Sequence, residues 1–353
     1  MKIRTAIFSL IVVSVINTVY GQEPYRRGTT AANFLEIGYG SRGNAMGDAV
    51  VGTIDDLSAA YWNPAGLSLM RQSEVQFMMQ PWIADINTAF ASAGIVHPNL
   101  GTFAVTYYQV DYGREEVTTM EFQEGTGERY SANDYCLSLS FGRKLAQWFS
   151  FGATGKIVSS SIWHTSATAF AVDLGAIVNT YFFSSTGNRT DGLAIGMSIS
   201  NYGTRMKYDG MDLIQPIDPN PLSSGEYDNV DGQYRTQGWE LPLIFRIGMA
   251  VNPIVTQNQK LTLEMDALHP NNNSESVNLG AQYAYTIHSF GSFYLRGGYK
   301  ALFMDRSEYG LSYGVGVLYR IAGMKDTAMR IDYAYRDIGI LGATHAYTFS
   351  FLF

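Results

Sequence analysis

Histidines are the residues best suited to bind a metal or transfer a proton, and this chain has five of them. They fall at predicted strand ends or loops, at His97, His164, His269, His288 and His345. None stands at a metal-ligand spacing from another histidine or from the single cysteine, Cys136. A nucleophile elbow, a P-loop and a zinc signature are also absent from the sequence. We therefore predict a protein that is not an enzyme and that uses no cofactor or metal.

A second candidate set consists of charged side chains that alternate with apolar residues, so that they face one side of the predicted strands. Its members are Lys156, Asp173, Arg246, Glu264, Asp266, Arg296, Lys300, Arg320, Arg330, Asp332 and Arg336. These residues could line a polar conduit. We favour the interpretation that they pair across a barrel interior and hold a plug, because unpaired charge in a narrow space is costly.

The stretch at 204–240 is the best candidate for contact with another protein. Three prolines within six residues stiffen it, and its apolar and aromatic side chains are typical of recognition loops. Seven acidic residues against three basic ones make it acidic, although the pattern of a calcium-binding loop is incomplete. A solvated loop without a partner is the alternative. The candidate binding residues are Ile214, Pro216, Ile217, Pro219, Pro221, Leu222, Tyr227, Tyr234 and Trp239.

Composition limits the classes of protein to which the chain can belong. Of its 353 residues, 46% are hydrophobic and 16% are charged, and the mean hydropathy is −0.05. A disordered chain would carry more charge and fewer aromatic residues. A helical membrane protein would need several apolar runs of about 20 residues. The chain has one apolar run, residues 6–16 at the N-terminus, which is too short to span a bilayer comfortably. The net charge of −7, without a basic stripe, argues against a nucleic-acid partner.

From residue 73 onward the sequence repeatedly shows a period of two, which is the period of a β-strand. The apolar faces carry no charge and the opposite faces are rich in Gly, Ser and Thr, as in transmembrane barrels. We therefore predict an all-β fold: a transmembrane antiparallel β-barrel of about 14 strands with a small N-terminal plug-like segment. The strands are expected near 73–82, 87–97, 100–112, 131–142, 147–160, 167–182, 190–203, 241–252, 258–268, 276–287, 290–301, 310–322, 327–337 and 344–353.

The lengths of the connections support this count and predict an orientation. Odd-numbered connections such as 113–130 and 204–240 are long, whereas even-numbered ones such as 98–99 and 143–146 are short. Outer-membrane barrels have short periplasmic turns and longer extracellular loops. We therefore expect a protein of the bacterial outer membrane, surrounded by its lipid, with both chain termini in the periplasm.

Three parts of the chain are predicted. Residues 1–21, basic and then apolar, have the layout of a secretory signal peptide. Residues 22–72 do not alternate and are rich in small residues, which predicts a compact plug or hatch inside or beneath the barrel. Residues 73–353 form the barrel. The candidate site residues of the plug follow a short predicted helix that ends in a turn, and they are Asn63, Pro64, Ala65 and Gly66.

Two phrases in the predicted plug resemble a known family. Residues 34–49 read FLEIGYGSRGNAMGDA, and residues 55–67 read DDLSAAYWNPAGL. They resemble the N-terminal signature of the PorV/PorQ family, within the wider group of FadL-like outer-membrane barrels. The last predicted strand is also similar to the C-terminal signal by which outer-membrane barrels are recognised for assembly, since aromatic residues occupy alternate positions, at Tyr347, Phe349, Phe351 and Phe353.

This resemblance implies a role in the type IX secretion system of Gram-negative bacteria. PorV-type members engage the large translocon barrel, receive cargo through its C-terminal sorting domain and pass that cargo to the attachment complex at the cell surface. These three are the protein partners expected here, with docking on the extracellular loops as the mechanism. The alternative is a FadL-like channel for uptake of hydrophobic small molecules, which requires an apolar pocket beneath the long loops. In FadL-like relatives the run similar to residues 63–66 belongs to the plug region.

Overall fold

A computed structural model describes residues 28–219, 222, 230–304, 306–324 and 327–353. The predicted signal peptide therefore lies outside the described residues, as do two candidate binding residues, Pro221 and Tyr227.

Fourteen long strands follow one another along the chain and form a closed antiparallel barrel. Each strand pairs with the next, and β1 pairs with β14, where Glu74 lies opposite Leu352 and Met79 lies opposite Tyr347. The predicted fold class is confirmed. The strands are β1 Glu74–Pro81, β2 Asn87–His97, β3 Gly101–Glu116, β4 Arg129–Ala146, β5 Phe149–Ile162, β6 Thr165–Asn179, β7 Ala194–Gly203, β8 Ile244–Val255, β9 Gln259–Pro270, β10 Ser276–Ile287, β11 Gly291–Leu302, β12 Leu311–Arg320, β13 Ala328–Asp337 and β14 Ala343–Leu352.

Alternation of side chains explains why these segments form a membrane barrel. In β4, Leu137 and Leu139 are exposed on the outer wall, whereas Ser138 and Ser140 are buried inside. The same alternation occurs in the closing strand β14, where Phe349 faces outward and Ser350 faces inward. Successive strand side chains point to opposite faces, so a period of two gives an apolar outer band and a polar interior.

The two ends of the barrel differ in the length of their connections. We call the end that carries residues 204–243 the loop end, and the opposite end, where Phe353 lies, the turn end. Two connections depart most from the predicted separation. At the loop end, β5 and β6 are joined by two residues, with Trp163 at a φ of 52°. At the turn end, residues 180–193 form a long connection stabilised by its own backbone hydrogen bonds, such as Thr180 N to Leu193 O.

Short helical turns precede the barrel strands. They are a 3₁₀ turn at Asn33–Glu36, α1 at Ser41–Ala45, α2 at Ala59–Trp62 and a second 3₁₀ turn at Pro64–Leu69. Most of their side chains are buried against inward-facing strand residues. In the described part of the chain, the helices are all too short or too polar to span a bilayer.

Candidate functional site

The residues between the start of the described chain and β1, here called the inner segment (28–73), run through the barrel from one end to the other. At the loop end, Thr30 forms a parallel bridge with Glu240. Asn272, in the connection between β9 and β10, donates through Nδ2 to Thr30 Oγ1 at 2.9 Å and to Glu36 Oε1 at 2.7 Å. At the turn end the segment continues directly into Glu74 of β1. The inner segment is therefore in contact with both ends of the barrel.

Apolar and aromatic side chains of the inner segment fill the space beneath the loop end. Phe34 and Tyr39 stack on Tyr108 of β3 and Phe90 of β2, with ring centroids 5.9 and 4.3 Å apart respectively. Burial raises the pKa of the Tyr39 phenol, which keeps this group neutral. The cavity that remains beside Tyr39 and Tyr108 has a volume of about 10 Å³. This volume accommodates about one water molecule.

The predicted plug residues form a turn that lies directly on the wall. Asn63 accepts a hydrogen bond from Ala65 N at 3.1 Å and donates through Nδ2 to Val51 O at 2.8 Å and to Ala176 O of β6 at 3.2 Å. Pro64 begins the 3₁₀ turn, and its backbone lies so close to Gly152 of β5 that a Cβ there would collide with it. Gly66 is needed for the same reason, because a side chain would meet Ile54.

Buried ion pairs attach the inner segment to strands on the far side of the barrel. Asp48 is buried and accepts hydrogen bonds from Arg336 of β13 and from Lys300 of β11, the latter with Nζ to Oδ2 at 2.7 Å. Burial by itself would raise the pKa of Asp48, but the positive charges of Arg336 and Lys300 outweigh it and lower the pKa below its ordinary value. Asp48 is therefore charged at neutral pH.

A second ion cluster lies where the inner segment approaches the turn end. Arg330 of β13 contacts Glu74 at 2.5 Å, Asp332 at 3.3 Å and Asp56 of the inner segment at 3.7 Å. Within the inner segment, Arg42 pairs with Asp55. Each buried charge here has a partner of opposite sign, which offsets the cost of removing it from water.

Two carboxylates of β9 bind the backbone of the inner segment. Asp266 Oδ2 accepts from the N–H groups of Val50 and Val51 at 2.8 and 3.0 Å. Glu264 accepts from Gly52 N at 2.5 Å and from the Thr53 hydroxyl. These contacts provide acceptors for three consecutive backbone donors that would otherwise be buried without partners.

The other predicted interior charges are distributed as follows. Lys156 pairs with Asp173 at 2.5 Å, and Arg296 pairs with Asp332 at 2.5 Å. Arg246 donates to Ser200 at 2.8 Å and lies over the rings of Tyr61 and Trp62. One residue of the predicted set, Arg320, does not lie in the interior.

Arg320 is exposed at the last position of β12 and donates to the carbonyl of His288 at 3.0 Å. It therefore stabilises a turn, because it lies at the turn end of its strand, beyond the positions that line the interior. The remaining charges contact residues of the wall or of the inner segment, which are contacts typical of pairing and attachment.

The connection at 204–243 forms a two-stranded hairpin at the loop end, here called the outer hairpin (Ile214–Ile217 paired with Val230–Gln233). Its base is fixed to the barrel. Asp209–Gly210 pairs with the start of β6, and Met206 forms a bridge with Trp239. Asp212 accepts from His164 N at 2.9 Å and from Thr165 Oγ1 at 3.1 Å.

Most of the predicted binding residues are exposed on or beside the outer hairpin. Ile214, Pro216, Ile217, Pro219, Leu222, Tyr234 and Trp239 are all exposed. The structure brings Ile217 next to Val230, which the sequence analysis did not select because nothing local indicated a strand pair across a long connection. The sequence analysis also did not select Asp48. The feature that could have indicated it is an acidic residue within a run of small residues.

No group of three or more His, Cys, Asp or Glu side chains that could hold a metal ion occurs within residues 28–219, 222, 230–304, 306–324 and 327–353.

Comparison with known proteins gives a match to one protein family and matches to several solved structures. Residues 21–236 match the family model described as Type IX secretion system protein PorV. Among curated proteins, none matches the chain.

Similar solved structures share the fold at low sequence identity. A Pseudomonas aeruginosa FadL homologue is 12% identical with a TM-score of 0.53, and covers 89% of this chain and 97% of its own. The Pseudomonas putida toluene transporter TodX is 12% identical with a TM-score of 0.54, covering 89% and 98%. The Ralstonia pickettii toluene transporter TbuX is 10% identical with a TM-score of 0.52, covering 89% and 97%.

Proposed function

The chain belongs to the PorV family of type IX secretion system proteins, and from that premise we propose that it is a docking component of protein secretion. It is an outer-membrane β-barrel with a FadL-like fold. The proposed partners are the translocon barrel, the C-terminal sorting domains of secreted proteins and the attachment complex at the cell surface. The proposed role is to hold cargo during transfer, without catalysis and without a cofactor.

The observation that carries this proposal is the filled barrel. Inner-segment side chains occupy the interior from the loop end to the turn end, and the cavity beside Tyr39 holds about 10 Å³. Carboxylate-to-amide contacts at Asp266 and ion pairs at Asp48 attach the segment on separate strands. A barrel closed in this way is suited to binding partners on its surface while it remains sealed.

The outer hairpin supports docking at the loop end. A connection that only joined β7 to β8 would need a few residues, yet this one forms its own paired strands and has exposed Ile214, Ile217 and Tyr234. Apolar side chains on an ordered loop outside the membrane are typical of recognition surfaces. We propose that this end is extracellular and that both termini are periplasmic, as the loop lengths predict.

Uptake of hydrophobic small molecules is the alternative function. The region beneath the loop end is indeed apolar, with Phe90, Tyr108 and Val110 on its walls. Phe34, Leu35 and Tyr39 occupy it, however, so a ligand would first have to displace buried aromatic side chains. We favour docking because this displacement would expose apolar area that is already well packed.

Cross-linking in intact outer membranes tests the proposed function. A tagged copy of the protein is cross-linked and purified, and its partners are identified. Recovery of the translocon barrel, or of secreted proteins that share a C-terminal sorting domain, is the expected result. Recovery of the protein alone, with a fatty acid or another apolar molecule bound, would instead support uptake.

A further inference from the structure

One strand of the outer hairpin has backbone groups that face away from its partner. Tyr234 N donates to Leu213 O at 2.9 Å, which identifies these two residues as a hydrogen-bonded pair just beyond the strands. Hydrogen-bonded and non-hydrogen-bonded pairs alternate along an antiparallel ladder. With Asp231 opposite Pro216 in the register, Asp231 and Gln233 belong to the non-hydrogen-bonded pairs. Their N–H and C=O groups therefore point away from the partner strand.

The two edges of the outer hairpin are not equivalent. The outward positions of the Ile214–Ile217 strand are Ile214 and Pro216. Pro216 has no N–H to offer, which is how natural proteins block an exposed edge, and the N–H of Ile214 already donates to Met211 O. On the other edge, Asp231 and Gln233 each have a backbone donor and acceptor two residues apart. In the described part of the chain, Val230–Gln233 pairs with no strand other than Ile214–Ile217. The hairpin therefore has one blocked edge and one open edge.

Side chains around the open edge define the kind of segment that would fit. Val230 and Tyr234 lie on one face, together with Ile217 of the paired strand, and all three are exposed. Asp231 and Gln233 lie on the other face, where Asp209 accepts a hydrogen bond from the Gln233 side chain at 2.6 Å. The surrounding stretch at 204–240 has seven acidic residues against three basic ones. A strand added here would face apolar side chains on one side and negative charge on the other.

We propose that the Val230–Gln233 edge binds an extended segment of a secreted protein's sorting domain by strand addition. Backbone hydrogen bonds to Asp231 and Gln233 would supply the affinity, as in other complexes that extend a sheet. Specificity would come from alternating side chains in the bound segment, with basic side chains next to Asp231 and apolar ones next to Val230 and Tyr234. This inference rests on the proposed function and adds the mode and chemistry of cargo recognition.

Proline at position 233 is the most direct test, because it removes the outward N–H without removing a bond within the hairpin. The labelled sorting domain of a secreted protein from the same organism is titrated against the full-length protein in nanodiscs. Gln233→Pro is expected to weaken binding about tenfold, which corresponds to about 1.4 kcal/mol. Gln233→Ala, which keeps the N–H, is expected to stay within twofold.

Charge is tested separately with a variant that keeps every backbone donor. Asp231→Lys is expected to weaken binding several-fold at low salt, and the difference should shrink as salt screens the charge. Heat-modifiable migration on gels checks that each variant is a folded barrel.

Equal binding by Gln233→Pro and Gln233→Ala would overturn strand addition. Failure of the unmodified protein to bind any sorting domain would instead reject the proposed function on which this inference rests.

Discussion

Charged residues inside this barrel hold the inner segment in place through ion pairs and through hydrogen bonds to its backbone. Asp48 lies between Arg336 and Lys300, and Asp266 accepts from two backbone N–H groups. Removing one member of such a set leaves the others buried without compensation, which costs more than the pair itself contributes. At the scale of single residues, attachment of the inner segment therefore depends on a few charges.

Replacement of Asp48 by Asn tests this dependence. We expect a loss of about 3–5 kcal/mol in stability, because Arg336 and Lys300 remain buried with their charge uncompensated. Glu116→Gln, which breaks the exposed pair with Arg129, should cost less than about 1 kcal/mol. Urea unfolding in detergent or lipid measures both variants, and equal losses would show that burial of the Asp48 pair is unimportant.

The same residue predicts a pH dependence. The pKa of Asp48 is lowered in the folded protein, so its contribution is fully present above the ordinary carboxyl pKa of 3.8. That contribution is lost as the pH falls through the lowered folded value. The thermal midpoints of the unmodified protein and of Asp48→Asn should therefore differ at pH 6 and converge below pH 3.8. A difference that does not shrink as the pH falls below 3.8 would contradict this assignment.

At the scale of elements, close packing between the inner segment and the wall depends on glycines. A Cβ at Gly298 of β11 would collide with the backbone of Met46 and Gly47, whereas one at the adjacent Gly297 would meet nothing closer than Ser312 O at 3.9 Å. Gly298 faces inward and Gly297 faces outward, so neighbouring glycines of one strand have different roles. The strand and the inner segment thus form one packed unit.

Alanine at these two positions provides a matched comparison. Gly298→Ala should displace the inner segment and cost about 1–3 kcal/mol, as overpacking of a close contact usually does. Gly297→Ala should be nearly neutral, since its side chain would point toward lipid. Unfolding measurements report stability, and susceptibility of residues 28–73 to protease reports displacement. Similar behaviour of the two variants would refute the packing argument.

On the outward face of β11, the stability of the barrel should be sensitive to an introduced charge. Leu295 is 61% exposed in the middle of β11, where the outer wall faces lipid. Arginine at this position should cost about 2–4 kcal/mol, because a charge near the bilayer midplane is poorly solvated. Ile340→Arg, in the exposed connection between β13 and β14, is the control and should cost less than about 1 kcal/mol. Refolding yield into lipid vesicles separates the two outcomes.

At the scale of the whole molecule, the barrel is a closed wall around a filled interior. The register from β1 to β14 leaves no open edge in the sheet, and the inner segment reaches from one end to the other. The exposed apolar side chains of the outer hairpin lie at the loop end. We propose that the inner segment seals the barrel and that the outer hairpin recognises partners.

Deletion of residues 29–67 tests whether the inner segment seals the barrel. The shortened protein should assemble and admit small solutes, because the wall closes without contributions from this segment. Conductance in planar bilayers should rise from near zero to that of an open pore. Unchanged conductance of a folded barrel would show that other residues close the interior.

The sequence by itself determined the wall of this protein. Whether a strand residue faces lipid or the interior depends on alternation along a single segment, so residues such as Leu137 and Ser138 revealed the strands directly. The number of strands followed from counting these segments. The N-terminal phrases also identified the family, since they lie within the matched residues 21–236.

Only the tertiary structure decided which residues meet. Asp48 and Arg336 are 288 positions apart, and no local pattern connects them. The exceptional connection at 180–193, the exposed position of Arg320 and the open edge at Val230–Gln233 likewise depend on where strands end and on how they pair. Side-chain direction is a property of one strand, whereas ion pairing and edge exposure are properties of the closed barrel.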